Sequence, residues 1–178
     1  MIIIVGSQKG GVGKSTLTPN FAYALREHLK LDVILVDADP QQNLTQWSQV
    51  REEEQKHTSF LTTQVVGNIA KTLDALNQKY DVVLCDVAGR DSKEMRTGML
   101  VADVFLSPIT PSQPDINTLV KLADIFDEAK SINSDLVGYV FLNKCAVLPN
   151  IKEADEAVKV LDSFHEFYLG THQKQPEK

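Results

Sequence analysis

The sequence predicts an α/β fold: a doubly wound, mostly parallel sheet with helices on both faces. Short apolar, β-branched runs recur at Ile2–Val5, Val33–Val36, Tyr80–Cys85, Val104–Ile109 and Leu136–Leu142. They are continuously apolar rather than alternating, as strands buried on both faces are. Each is followed by a longer segment of helical spacing, and that alternation means βαβ units joined by right-handed crossovers.

In chain order, the first strand leads into a helix at about Lys14–Leu29 and the second into the polar stretch Gln41–His57. There Trp47 can anchor a short helix, and Arg51–Lys56 reads as a solvated charge run. Further helices are expected at Val66–Gln78, Ser92–Val101 and Pro114–Ser131. A last one is expected at Ile151–Leu169, where Ala154, Ala157, Val158, Leu161, Phe164 and Tyr168 form a core-facing stripe. Residues 1–169 read as one domain, and 170–178 as a polar, frayed tail.

Of the 178 residues, 43% are hydrophobic and 24% charged, which excludes collagen-like, disordered and coiled-coil chains. Eighteen basic residues against 24 acidic ones give a net charge of −6. The surface is therefore not basic all over, although a local basic patch stays open. No apolar run approaches the ~20 residues that span a bilayer. Met1–Val5 also lacks the basic start of a signal peptide, so a cytoplasmic location is expected. Cys85 and Cys145 form no C-x-x-C pattern and read as reduced thiols.

In sheets of this kind ligands bind beyond the carboxyl ends of the strands. Strand one ends in Ser7-Gln8-Lys9-Gly10-Gly11-Val12-Gly13-Lys14-Ser15-Thr16, and a helix follows at once. Glycines let the backbone approach a ligand closely and turn its N–H groups inward. The helix start adds unpaired N–H groups and a positive dipole end, so an anion is favoured there. Lys14 supplies a full charge for β- and γ-phosphates, and the Ser15 hydroxyl can ligate Mg²⁺. The pattern G-x-x-x-x-G-K-[ST] fails only at its first position, where Gln8 stands.

That departure, with a second lysine at Lys9, resembles the deviant Walker A loop of the ParA/MinD superfamily of P-loop ATPases. Within it the chain is most like small ParA-type plasmid partition ATPases. The resemblance implies the P-loop NTPase fold and binding of ATP with Mg²⁺ by Lys9, Gly10, Gly11, Val12, Gly13, Lys14, Ser15 and Thr16. It further implies a dimer with ATP sandwiched at its interface, and hydrolysis that is slow until a partner stimulates it. Lys9 would be the signature lysine that reaches the partner subunit's phosphates, catalytic together with Lys14.

Strand two ends in Asp37-Ala38-Asp39-Pro40-Gln41, with period two placing both acids on one side and Pro40 stopping the strand. This is similar to the superfamily's switch I signature. By that resemblance Asp39 activates the attacking water and Asp37 supports the metal's water shell, the alternative being two turn aspartates. Strand three ends in Asp86, the Walker B position for Mg²⁺. The following Gly89 resembles the switch II glycine. Arg90 and Asp91 fit an exposed salt bridge as well as a switching role.

Strand four leads into Pro108-Ile109-Thr110-Pro111-Ser112-Gln113-Pro114, a stiff loop that could cover a ribose. At the end of strand five Asn143 can present donor and acceptor to an adenine edge, as the family implies, or be a turn asparagine. The last helix carries Glu153, Asp155, Glu156, Asp162 and Glu166 beside its apolar stripe, which argues against membrane targeting. Typical ParA proteins continue past it with another strand and helix, and no such segment is found. Lys144, Lys152 and Lys159 are the far-end cations available to DNA, or a solvated face.

The expected activity is ATP hydrolysis that drives plasmid or chromosome partition, or cargo positioning. Expected partners are a second copy of the chain, a centromere-binding adaptor of ParB type and non-specific DNA, with association to the nucleoid. The competing reading is a metabolic or metallocluster enzyme on the same scaffold, such as an iron–sulfur carrier or a biotin-pathway synthetase.

Overall fold

Among the described residues, seven parallel strands form one sheet in the order β3-β2-β4-β1-β5-β6-β7. The computed structural model describes residues 1–54, 59–145, 153–161, 164 and 167–169. Along the chain these are β1 (Ile2–Val5), α1 (Lys14–Leu29), β2 (Val33–Ala38), α2 (Asn43–Glu53) and β3 (Thr62–Gln64). There follow α3 (Ala70–Asn77), β4 (Val82–Val87), α4 (Lys93–Met99) and β5 (Val104–Ile109). The last elements are α5 (Gln113–Lys130), β6 (Val137–Leu142), α6 (Glu153–Leu161) and β7 (Phe167–Leu169).

β1, β2 and β4 are buried along their whole length, which their unbroken apolar character requires. Alternate residues serve the two faces. Ile3, Val5, Leu35 and Leu84 pack with Ala22, Leu25 and Leu44 of α1 and α2. Ile2, Ile4, Ile34 and Val83 pack with Leu73, Met95, Leu119 and Phe126 of α3, α4 and α5 on the other face. Phe126 is fully buried, its ring centre 6.2 Å from Phe105 and 4.9 Å from Phe167, so it joins α5 to β5 and β7.

Three differences from the sequence reading have physical causes. β2 and β4 run past their apolar stretches, so Asp37 and Asp86 lie within strands, directly paired in register. The ladder continues there because the hydrogen bonds of a strand are made by its backbone whatever the side chain. β3 is a short, polar edge strand without an apolar signal, made by its pairing with β2.

The third difference lies at the far end, where the expected helix Ile151–Leu169 stops at Leu161 and the chain returns to the sheet as β7. β7 is thus a strand beyond the last helix, which sequence patterning does not reveal. Ala157 and Leu161 are buried, as the stripe requires, but Tyr168 follows strand alternation and is exposed beside Tyr139, with ring centres 5.6 Å apart. The tail 170–178, Lys152, Asp162 and Glu166 lie outside the described residues. Among the described residues no helix is long and apolar enough to cross a membrane.

Candidate functional site

At the carboxyl ends of β1, β2, β4 and β6 opens a cleft of about 560 Å³. The glycine loop with Lys14, Ser15 and Thr16 forms one wall. Asp39–Gln41 and Asn43 close it from the β2 side, Ala88–Arg90 from the β4 side and Lys144 from β6.

The loop is held from both ends. Ser7 Oγ donates to the Lys9 carbonyl at 2.8 Å. Gly13 caps α1 in the left-handed region (φ 101°), and its carbonyl accepts from the Leu17 and Thr16 amides at 2.8 and 3.2 Å. That conformation suits glycine because it has no Cβ. Lys14 is buried at the first position of α1. Gly89 packs so closely beneath the loop that a Cβ there would lie 2.8 Å from the Lys9 carbonyl and 2.9 Å from the Gly10 nitrogen. The loop after β4 therefore touches the glycine loop directly.

Asp86 lies under the cradle, 1% exposed, and accepts from Ser15 Oγ at 2.7 Å through Oδ2. Its other oxygen has no hydrogen-bond partner among the described residues. Burial pushes the carboxyl up to about 6, with the nearby Asp37 and Asp39 charges adding to the rise and the Ser15 bond and Lys14 opposing it. A buried carboxylate with an orphaned oxygen and a neighbouring hydroxyl fits a hard divalent cation. Among the described residues no group of three or more His, Cys, Asp or Glu side chains could hold a metal. Most ligands of such an ion would thus come from a bound phosphate and water, as Mg²⁺ prefers.

The other two acids differ in their surroundings. Asp37 is buried and serves the start of α2: Oδ2 accepts from the Thr45 amide and hydroxyl, both at 2.8 Å, and Oδ1 from the Asp39 amide at 3.2 Å. Asp39 lines the cleft, and its Oδ1 accepts from the Gln41 amide at 3.0 Å.

Lys9 is half-exposed, and its ammonium pairs with Asp115 near the start of α5. Asp115 is buried and also accepts from the Thr110 amide at 3.2 Å and the Thr110 hydroxyl at 2.5 Å. Burial works to raise this carboxyl, but the Lys9 and Thr110 hydrogen bonds outweigh it and hold it below the usual carboxylate range. The proline-rich segment after β5 therefore anchors Lys9 through Thr110 and Asp115.

Asn143 Nδ2 donates to the Val12 carbonyl at 2.9 Å, and Lys144 Nζ to the Gly11 carbonyl at 2.6 Å. Lys144 is thus a cleft residue, whereas Lys159 is exposed on α6. Asp91 forms a two-pronged pair with Arg96, at 2.7 and 3.1 Å. Cys85 is buried inside β4, where burial pushes its thiol well up, and Cys145 is partly accessible.

The structure therefore brings Lys14, Ser15, Thr16 and Asp39 to one cleft, with Asp86 buried beneath it and bonded to Ser15. Sequence reasoning missed Thr45, Asp115 and the placement of Lys144. Only the glycine loop and the acids at the strand ends carried a local signal, since Asp115 and Lys144 find their partners 106 and 133 positions away and Thr45 sits in the polar helix α2.

Residues 3–166 match the CobQ/CobB/MinD/ParA nucleotide binding domain. The chain belongs to that family. Similar relatives are Protein ParA of Rhizobium radiobacter, 31% identical over 64% of this chain and 50% of its own length, and the maintenance of carboxysome distribution protein A of Gloeobacter kilaueensis, 31% identical over 67% and 54%. The chain spans about half the length of the curated relatives it matches. Among solved structures, a plasmid partition protein from Borrelia burgdorferi shares the fold, with a TM-score of 0.73 at 17% identity over 94% of this chain and 87% of that one. The P-loop fold expected from Gly10–Thr16 is therefore the fold of this domain.

Proposed function

We propose that this nucleotide-binding domain is a ParA-type ATPase that binds Mg²⁺-ATP, dimerises around it and uses its hydrolysis to partition DNA or position another cargo. The observation that carries the reading is the Ser15–Asp86 hydrogen bond beneath the glycine cradle, with its unpartnered carboxylate oxygen facing no protein donor. The named relatives, one a ParA and one a carboxysome-distribution protein, support partition or positioning over metabolism.

In this reading the loop amides of Gly10–Gly13 and the start of α1 hold the phosphates, and Lys14 neutralises the β- and γ-oxygens. Ser15 and Asp86 would hold Mg²⁺, which when bound neutralises charge on the transferred phosphoryl group. Asp37, paired in register with Asp86, stiffens the start of α2 through Thr45 and supports the ion's water shell. Asp39 orients the attacking water. Lys9 leaves Asp115 and reaches the phosphates of a second copy, where a cation delivered in trans is worth roughly 10³–10⁵ in rate by analogy with arginine fingers. Asn143 contacts the adenine side of the nucleotide. A ParB-type adaptor and DNA complete the cycle by stimulating hydrolysis.

Calorimetry and sizing chromatography with ATP and Mg²⁺ test this. Uptake of ATP with a shift from monomer to dimer, reversed on hydrolysis, is expected. Absence of any adenine-nucleotide uptake by the folded protein overturns the reading.

A further inference from the structure

Two successive residues beyond β6 grip two successive carbonyls of the glycine loop. Asn143 is set in place by its own amide, which donates to the Ile109 carbonyl at 2.7 Å and extends the β5–β6 ladder one step past the strand. Its side-chain amide then meets the Val12 carbonyl at 2.9 Å. Lys144 turns into the left-handed region (φ 57°), uncommon for a residue with a long side chain. This turn precedes a 2.6 Å bond from its ammonium to the Gly11 carbonyl, 133 positions away. A backbone outlier that a surrounding bond network maintains is a pointer to function. Gly13 completes the fit, because a Cβ there would collide with the Asn143 side-chain nitrogen.

The geometry of the peptide unit gives these bonds their consequence. In a trans peptide the carbonyl and the next N–H point in opposite directions. Tying the Gly11 and Val12 carbonyls toward β6 therefore turns the Val12 and Gly13 N–H groups the other way. The ammonium also offsets the partial negative charge of a carbonyl that would otherwise oppose an anion in the cleft that Lys144 itself lines.

We infer that Lys144 is a positioning residue for the nucleotide: with Asn143 it sets the glycine loop in its anion-binding conformation before the ligand arrives. This rests on the nucleotide-binding reading above and extends it to a residue outside the glycine loop and the acid-bearing strand ends. Because the brace acts on the loop and not on the γ-phosphate or the attacking water, it contributes equally to ATP and ADP. It raises affinity without altering the chemical step. It also assigns the Lys144 charge to the nucleotide cleft and away from DNA.

The test compares the parent with Lys144→Met, which keeps the length of the stem and loses the donor, and Lys144→Arg, which keeps a donor. ATP and ADP affinities of Lys144→Met are expected to fall together by about 5- to 20-fold, with kcat at saturating ATP within about threefold of the parent. Lys144→Arg is expected to restore most of the affinity. Amide resonances of Val12 and Gly13 in the nucleotide-free protein should shift in Lys144→Met and return in Lys144→Arg. DNA retention at saturating ATP should be unchanged. Nucleotide affinity of Lys144→Met within twofold of the parent overturns the inference, as does a loss confined to kcat. If Lys144→Met does not fold, Lys144→Gln carries the same comparison. A parent protein that takes up no adenine nucleotide instead overturns the functional reading on which the inference stands.

Discussion

Asp115 at the start of α5 binds the ammonium of Lys9, 106 positions earlier, and so ties the loop after β1 to the segment that follows the neighbouring strand β5. The carboxylate is buried and fixed by Thr110, while the lysine is half-exposed. If Lys9 serves a second subunit, it must first leave this partner. An ion pair with one exposed member is worth about 0.5–1 kcal/mol, or roughly two- to fivefold in an equilibrium. Asp115→Asn, which can still accept from Thr110, should lower the ATP concentration for half-maximal dimerisation by about that factor in sedimentation experiments. An unchanged or raised midpoint would show that the pair does not restrain Lys9.

Lys9 and Lys14 should separate binding from chemistry. Lys14 is buried at the head of α1 beside the cradle, so Lys14→Ala should weaken ATP binding itself. Lys9→Ala should bind ATP normally and lose hydrolysis. Turnover of the Lys9 variant at the parent rate, measured by phosphate release, would remove the trans-lysine step.

Asp39 lines the cleft, whereas Asp37 is occupied by Thr45 and the Asp39 amide. Asp39→Ala should therefore leave nucleotide binding intact and accumulate an ATP-bound dimer that chromatography resolves. A variant that stays monomeric with ATP would count against a role for Asp39 in hydrolysis.

The Asp86 carboxyl, pushed up to about 6 by burial, predicts how stability follows pH. Between the ordinary carboxylate range near 4 and this value, the folded chain holds a proton that the unfolded chain has released. Stability without nucleotide or metal therefore falls as pH rises through about 4 to 6 and levels off above it. The full effect is up to about 3 kcal/mol at 1.36 kcal/mol per pH unit. Asp86→Asn should abolish that fall and raise the melting temperature at pH 7 in metal-free buffer, while losing the tightening of ATP binding by Mg²⁺. For the parent, Mg²⁺-dependent binding should strengthen as pH rises through about 6. A melting temperature at pH 7 equal in both proteins would contradict the buried-charge account.

Phe126 touches Phe105 and Phe167 from the middle of α5, so it couples β7 to the rest of the sheet. Phe126→Ala should cost about 3–5 kcal/mol in urea unfolding, through lost burial and the cavity left behind. A loss below about 1 kcal/mol would mean that β7 and α5 repack around the gap.

The sequence by itself determined the βαβ alternation, the glycine cradle and the acids at the ends of apolar runs. Each is a local property: an unbroken apolar stretch can only be buried, and Gly10–Ser15 carries the pattern of an anion site within six consecutive residues. It also indicated the core stripe of α6, but not where that helix ends, because the helical spacing of Phe164 and Tyr168 is also compatible with a turn and a strand. Only the tertiary structure decided the edge strands β3 and β7, which are short and owe their existence to backbone pairing with β2 and β6. It likewise decided that Asp115 holds Lys9 and that Lys144 grips Gly11. Those pairs are separated by more than a hundred residues, and no local pattern records a contact that arises only when β5 is laid beside β1 and β6 beside β5.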